Sequence, residues 1–189
     1  MKARFVNEYV VLPPKSKEDI IRDLSTLSKD ELGTQLIKAS KQGLTNIVQW
    51  IIDAGADINT KDNDGWTAIM YASCYGNEAC VKMLLDNDAD VNAMDINGWT
   101  ALIYASRFGH KDIVKLLLDA NADFNARSSG GWTALMHASH YGHKDTVKLL
   151  LDAGANVNVK DTDGWTALML ASHNGHKDIV KLLKKYDAK

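Results

Sequence analysis

The chain is short of cysteine. Its 189 residues include two, Cys74 and Cys80, too few for a disulfide framework and in keeping with a reducing compartment. It lacks an excess of either charge: 22 Lys and Arg against 24 Asp and Glu give a formal net charge of −2. No global basic field therefore gathers nucleic acid or an anionic membrane. No apolar run approaches the length that spans a bilayer. Proline is confined to Pro13 and Pro14. The basic Met1-Lys2-Ala3-Arg4 leads into an apolar stretch interrupted by Asn7 and Glu8, a poor match to a secretory leader. A soluble, cytoplasmic protein is the expectation.

What is present is repetition. Asp64-Gly65-Trp66-Thr67-Ala68, Asn97-Gly98-Trp99-Thr100-Ala101, Gly130-Gly131-Trp132-Thr133-Ala134 and Asp163-Gly164-Trp165-Thr166-Ala167 follow one another at a constant spacing of 33 residues. A fixed period of this length marks a stacked array. The copies run at about 31–63, 64–96, 97–129, 130–162 and 163–189. The first is degenerate, with Leu32-Gly33-Thr34-Gln35-Leu36 where Gly-Trp-Thr-Ala-Leu stands later. Trp50 falls outside the series, at a second-helix core position matching Leu116 and Leu149.

The copy at 97–129 shows the physics of one unit. Thr100 is placed to cap a helix through its hydroxyl. Ala101, Leu102, Ala105 and Ser106 give that helix a narrow face suited to close packing, and Gly109 ends it in the left-handed conformation. His110 opens a second helix, whose broad apolar face is Ile113, Val114, Leu116, Leu117 and Leu118. Asn121 closes it where other copies have Gly55, Asp88 and Gly154, and asparagine tolerates the same backbone shape. Ala122-Asp123-Phe124-Asn125-Ala126 then extends into a turn of Ser, Gly, Asn or Asp. No unit can bury its own apolar face, so stability becomes a sum over units and their interfaces.

The ends are also legible. The apolar residue of Ile52, Leu85, Leu118 and Leu151 becomes Lys184 in the last copy, giving the polar outer face that a terminal repeat needs. Ser16 with Asp19, and Ser28 with Glu31, have the spacing of two helix starts. With the stripe Ile20, Ile21, Leu24 and Leu27, they predict a capping helix over 16–30. Residues 1–15, with Phe5, Val6, Tyr9, Val10, Val11 and Leu12 before Pro13-Pro14, read as an extended arm.

The segment Gly98-Trp99-Thr100-Ala101-Leu102-Ile103-Tyr104-Ala105-Ser106-Arg107-Phe108-Gly109-His110 resembles the ankyrin repeat, whose pattern is Gly-x-Thr-Pro-Leu-His-x-Ala-Ala-x-x-Gly-His. The likeness covers about 31–189 and includes the ending Gly55-Ala56-Asp57-Ile58-Asn59. Ala replaces the family's Pro throughout, and Met70, Ile103, Met136 and Met169 replace its His. Ser128-Ser129-Gly130-Gly131 lacks the usual Asp, which predicts the most mobile hairpin. The resemblance implies an all-α fold, an α-solenoid of ankyrin repeats behind an N-terminal helical cap. It also implies binding of a partner protein, without catalysis, cofactor or small-molecule substrate.

In that family, contacts come from hairpin tips and from the concave face of the first helices. The residues at such positions here are Trp66, Tyr75, Met94, Trp99, Arg107, Phe108, Arg127, Trp132, His140, Tyr141 and Trp165. Trp, Tyr and Arg are the types most enriched among interface hot spots, and an apolar patch rimmed by charge marks an interaction site. Trp99, Trp132, Phe108, Tyr141 and Arg107 are expected at its centre. The tryptophans have a second reading, as braces between neighbouring hairpins. Self-association of the patch or the arm, and a regulatory subunit covering a partner enzyme, remain alternatives to a monomer that binds a different protein.

Other clusters carry less. His110, His143 and His176 are second-helix starters rather than metal ligands, and a metal site needs three or four convergent groups. No nucleophile stands beside a base. Cys74 reads as exposed and Cys80 as buried. Lys111, Lys115, Lys144, Lys148, Lys177 and Lys181 are interleaved with Asp112, Asp119, Asp145, Asp152 and Asp178, the pattern of a solvated outer face rather than a nucleic-acid stripe.

Overall fold

The computed structural model describes residues 16–188. Among them the regular structure is wholly helical. α1 is Lys17–Leu24, and five helix pairs follow: α2 Lys29–Gln42 with α3 Thr45–Asp53, α4 Ala68–Tyr75 with α5 Glu78–Asp86, α6 Ala101–Phe108 with α7 Lys111–Asp119, α8 Ala134–Tyr141 with α9 Lys144–Asp152, and α10 Ala167–His173 with α11 Lys177–Lys185. The first helices α2, α4, α6, α8 and α10 pack in sequence, and the second helices α3, α5, α7, α9 and α11 form a parallel layer behind them. This is an α-solenoid.

Two features let the first layer pack closely. Ala72, Ala105, Ala138 and Ala171 are fully buried, as are Ser40, Ser73, Ser106 and Ser139. Their small side chains bring neighbouring helices together, while Ile69, Leu102 and Leu135 fill the space toward the second layer. Met70, Ile103 and Met136 are buried as well, so apolar packing stands where the related pattern has a histidine. In the last repeat no described helix packs on the outer side of α10, and Met169 is exposed.

Hydrogen bonds at constant offset join one repeat to the next. The last carbonyls of an α-helix lack intrahelical partners. Here Nε2 of His110 donates to the Cys74 carbonyl at 3.1 Å, His143 to Arg107 at 3.0 Å and His176 to His140 at 3.0 Å. Asn77 does the same for the degenerate first repeat, donating to Ser40 at 2.8 Å. α4, α6 and α8 each end in a glycine with positive φ, and the next repeat's histidine ring lies over it. A Cβ built on Gly109 (φ 73°) would sit 2.5 Å from His143 Nδ1. A second ladder joins the loops after the second helices, where Asn59, Asn92 and Asn125 accept from the backbone N–H of Asp90, Asp123 and Asn156 at 2.8–2.9 Å.

The turns before the first helices are built on one aspartate. Asp62 Oδ1 accepts from the N–H groups of Asp64 and Trp66, while its backbone N–H donates to the Trp66 carbonyl. Asp95 and Asp161 repeat this arrangement. Successive turns are tied sideways by Ile96 to Asp64, Ser129 to Asn97 and Thr162 to Gly130. Thr100, Thr133 and Thr166 cap their helices, each accepting from the N–H three residues on at 3.3 Å. Thr67 makes no such bond. Asn121 has φ 62° and Asp88 φ 63°, the left-handed shape required at those ends.

At the N-terminal end, α1 is capped by Ser16 and stops at Leu24, shorter than the 16–30 segment suggested by its capping signals. Ser25 and Thr26 turn the chain with hydroxyl bonds to the Arg22 and Asp23 carbonyls. Ser28 and Glu31 then start α2 with a reciprocal capping box. Because no glycine-tryptophan turn precedes it, α2 is the longest helix described, and Gly33 within it lies against the Thr60 side chain. Leu24 is buried, with Ile20 and Leu27 packed beside it. The arm expected over 1–15 lies outside the described residues. At the other end Lys184 is exposed to solvent.

Two stability effects of opposite sign follow from the stacking. Replacing Gly109 with Ala places a Cβ in a left-handed residue against the His143 ring, and should destabilise the fold by at least about 1–2 kcal/mol. The Ser106 hydroxyl is buried with no hydrogen-bond partner, so Ser106→Ala should raise stability by about 1 kcal/mol. Urea unfolding at constant m-value checks both.

Candidate protein-binding face

The tryptophans of the repeated turn do not stand free. Trp66 lies 4.7 Å between ring centroids from Tyr71 of its own repeat and 4.1 Å from Tyr104 of the next. Trp99 lies 5.0 Å from Tyr104 and 4.5 Å from His137. Trp132 lies 4.8 Å from His137 and 5.4 Å from His140. Each of these rings is half-buried. The ladder stops there because Leu170 occupies the next ring position, and Trp165 packs only edge-on against His173, at 5.5 Å. Such tilted contacts are favourable aromatic geometries. The bracing role of Trp66, Trp99 and Trp132 thus has direct contacts behind it.

A second aromatic row is exposed. Tyr75, Phe108 and Tyr141, the last residues of α4, α6 and α8, are 54%, 47% and 42% exposed. Arg107 connects the two rows. Its guanidinium carbon lies 4.9 Å from the Tyr141 ring centroid, 5.5 Å from Trp99 and 5.7 Å from Phe108. Lys41, two repeats earlier in the same register, lies 5.2 Å from Tyr71 and 5.5 Å from Tyr75. His140 meets Tyr141 edge-on at 4.7 Å. Arg107, Trp99, Phe108 and Tyr141 therefore form one cluster, and His140 links Trp132 to it. Cations over aromatic faces contribute about 0.5–2 kcal/mol each, depending on desolvation.

The hairpin residues are differently engaged. Arg127 Nη2 donates to the Lys160 carbonyl at 2.8 Å, and its Nε donates to Gly131. Lys61 donates to the Met94 carbonyl at 2.8 Å. Arg127 thus holds neighbouring hairpins together, while the Met94 side chain remains exposed.

Tyr71, Tyr104, His137 and Lys41 escaped the sequence reading. The Asp62–Tyr71 and Asp95–Tyr104 spacing of nine residues was the available signal. Each hydroxyl donates to the turn aspartate, Tyr71 to Asp62 at 2.8 Å and Tyr104 to Asp95 at 2.6 Å. Burial and the adjacent carboxylates push the Tyr71 phenol up to about 12 and the Tyr104 phenol higher still. In the next repeat this pair becomes Ser128 and His137. Ser128 Oγ accepts only from the Trp132 N–H, and neither His137 ring nitrogen finds a partner. Ser128 thus accepts one bond where Asp62 and Asp95 each accept three, although Ser128 and Gly131 keep their main-chain bonds.

The remaining chemistry is sparse. Among the described residues no three His, Cys, Asp or Glu side chains converge as metal ligands, and no helix is long and apolar enough to cross a membrane. Cys74 is half-buried rather than exposed, because it packs against the hydrophobic core, and desolvation raises its thiol pKa. Cys80 is buried beside Thr45, its Sγ 3.7 Å from the Thr45 hydroxyl. On the outer face Lys144 pairs with Asp178 of the next repeat at 3.3 Å.

A family model described as ankyrin repeats, in three copies, matches residues 36–128 and 126–189. Protein phosphatase 1 regulatory subunit 12A of Mus musculus is 43% identical over 44 residues, 23% of this chain and 4% of the relative. The Rattus norvegicus protein of the same name matches to the same extent. The matched segment is thus a very small part of those relatives' length.

Burial of His137 should make the fold acid-sensitive. Burial, and behind it the Arg107 and His140 charges, push its pKa down to about 3. The unfolded chain, with a histidine near its ordinary value of about 6.5, binds the proton more readily. Stability is therefore full above pH ~6.5 and falls as the pH drops toward ~3, by at most about 1.4 kcal/mol per pH unit. Restoring the neighbouring pattern with Ser128→Asp/His137→Tyr should flatten this slope and stabilise the fold by more than the two single changes together. A double-mutant cycle in urea at pH 7 and pH 5 checks it.

Proposed function

The chain belongs to the ankyrin-repeat family, and from that premise we propose that it is a non-catalytic recognition module that binds a partner protein through its first-helix ends. The observation that carries this reading is the row Tyr75, Phe108 and Tyr141. Three large aromatics recur at exposed positions that the stacking does not cover, with Arg107 resting on two of them. Exposed aromatics with an arginine match the composition of interface hot spots. The surface is built on packed helices, so little ordering entropy is spent on binding.

The residues divide by task. Phe108, Tyr141, Tyr75 and the outer edge of Arg107 are assigned to the partner, with Met94, His140 and Trp165 at the periphery. Trp66, Trp99, Trp132 and Arg127 are assigned mainly to bracing. The match to a phosphatase regulatory subunit fits a second, narrower reading, in which the partner is an enzyme and the array regulates it.

Phe108→Ala/Tyr141→Ala should leave the melting temperature nearly unchanged and weaken partner binding by about 2 kcal/mol or more, roughly 30-fold. Trp99→Ala/Trp132→Ala should instead lower thermal stability first. Affinity capture with quantitative mass spectrometry, beside thermal melts of both variants, tests the division. Capture of the same proteins by wild type and by folded Phe108→Ala/Tyr141→Ala would sink it.

A further inference from the structure

The two helix layers differ in charge. The first helices α4, α6, α8 and α10 contain no aspartate or glutamate, whereas every second helix from α3 to α11 contains at least one. At the register position of Arg107 the repeats carry Lys41, Cys74, Arg107, His140 and His173, with no acid among them. The nearby turn carboxylates of Asp62 and Asp95 keep their charge, but their oxygens are held by backbone N–H groups and tyrosine hydroxyls rather than by either cation, and Asp64 stands at the first of these turns. The partly negative carbonyls at the ends of α4, α6 and α8 are occupied by imidazoles of the following repeats. Among the described residues Lys41 and Arg107 rest on aromatic rings, and no ion pair neutralises either. The aromatic face of a chain of net charge −2 thus presents two cations, Lys41 and Arg107, that have no ion-pair partner among the described residues.

We propose that this face binds an extended acidic segment of a protein, its carboxylates on Lys41 and Arg107 and its apolar side chains against Tyr75, Phe108 and Tyr141. The proposal rests on the recognition role given above and adds the chemistry of the partner. Neighbouring helices pack about 8–10 Å apart and an extended chain rises about 3.3 Å per residue, so one repeat spans about three residues. Lys41 and Arg107 are two repeats apart, which sets the acidic residues about six positions from each other. A nucleic acid fits less well: its phosphates recur at every nucleotide and draw affinity from many cations, whereas this face offers two fixed ones.

The test is selection from a displayed library of random 12-residue peptides on the full chain, on Lys41→Glu/Arg107→Glu, on Lys41→Gln/Arg107→Gln and on Phe108→Ala/Tyr141→Ala, each shown to be folded by thermal melts. Wild type should enrich acidic peptides with carboxylates about six apart. The selected peptides should bind the glutamine variant at least about tenfold more weakly, and the glutamate variant should enrich basic peptides instead. Binders that need Phe108 and Tyr141 but are not acidic overturn the chemistry and leave the face intact. Binders indifferent to Phe108 and Tyr141, or no binders at all, count against both. Tighter, salt-sensitive binding of single-stranded poly(U) than of any selected peptide overturns the protein assignment.

Discussion

The structure depends on each repeat completing the hydrogen bonds of the one before it. A short helix of eight residues ends with carbonyls that it cannot satisfy itself, and burying them unpaired would cost more than the helix gains. The imidazoles of His110, His143 and His176 supply the missing donor from the next unit. Because that donor lies over a glycine with positive φ, geometry and sequence are locked at the same point: the ring has room only where no Cβ exists. The constant 33-residue spacing is the sequence trace of this requirement. An insertion inside a repeat would move the donor off its carbonyl, whereas a side-chain change at an exposed first-helix position would not.

This constraint explains how much could be read from the chain. Gly109, His110, Thr100 and Asn121 each have a local backbone or hydrogen-bonding role, so the helix limits, the caps and the left-handed ends were legible. The solenoid followed from their repetition. The roles of the tryptophans were only half legible, because the ring against Trp66 belongs to Tyr104, a full repeat away. No local pattern shows whether a turn tryptophan points to solvent or to its neighbour. Arg127 presents the same difficulty, since its bond to Lys160 crosses between repeats. Lys41 was hidden by its place in the degenerate repeat, where it lacks the surrounding motif.

The repeat around His137 is a local departure with a single cause. Tyrosine and aspartate nine residues apart form a hydroxyl–carboxylate bond in two repeats. Histidine is too short and serine too small to reproduce it, and both atoms of the ring that sought partners are left buried without them. The ring is retained in the ladder, between Trp99 and Trp132, at the expense of a polar group in an apolar slot. Aromatic continuity along the array was kept where hydrogen bonding was not. The unpartnered His137 ring therefore lies against Trp99 and Trp132, the braces that Arg107 and His140 pack on.

That placement connects stability to recognition. Arg107 rests on Trp99 of the ladder and on Tyr141 of the exposed row, so a ligand that holds its guanidinium also bears on the braces beneath it. The same cation opposes protonation of His137, and a carboxylate placed over Arg107 would offset that opposition. An acidic segment bound there would bear on His137 only above about pH 4, where its carboxylates still carry charge. By reciprocity a bound carboxylate raises the His137 pKa by as much free energy as protonation adds to the segment's affinity. The coupling requires no change of shape, only two charges that share one arginine.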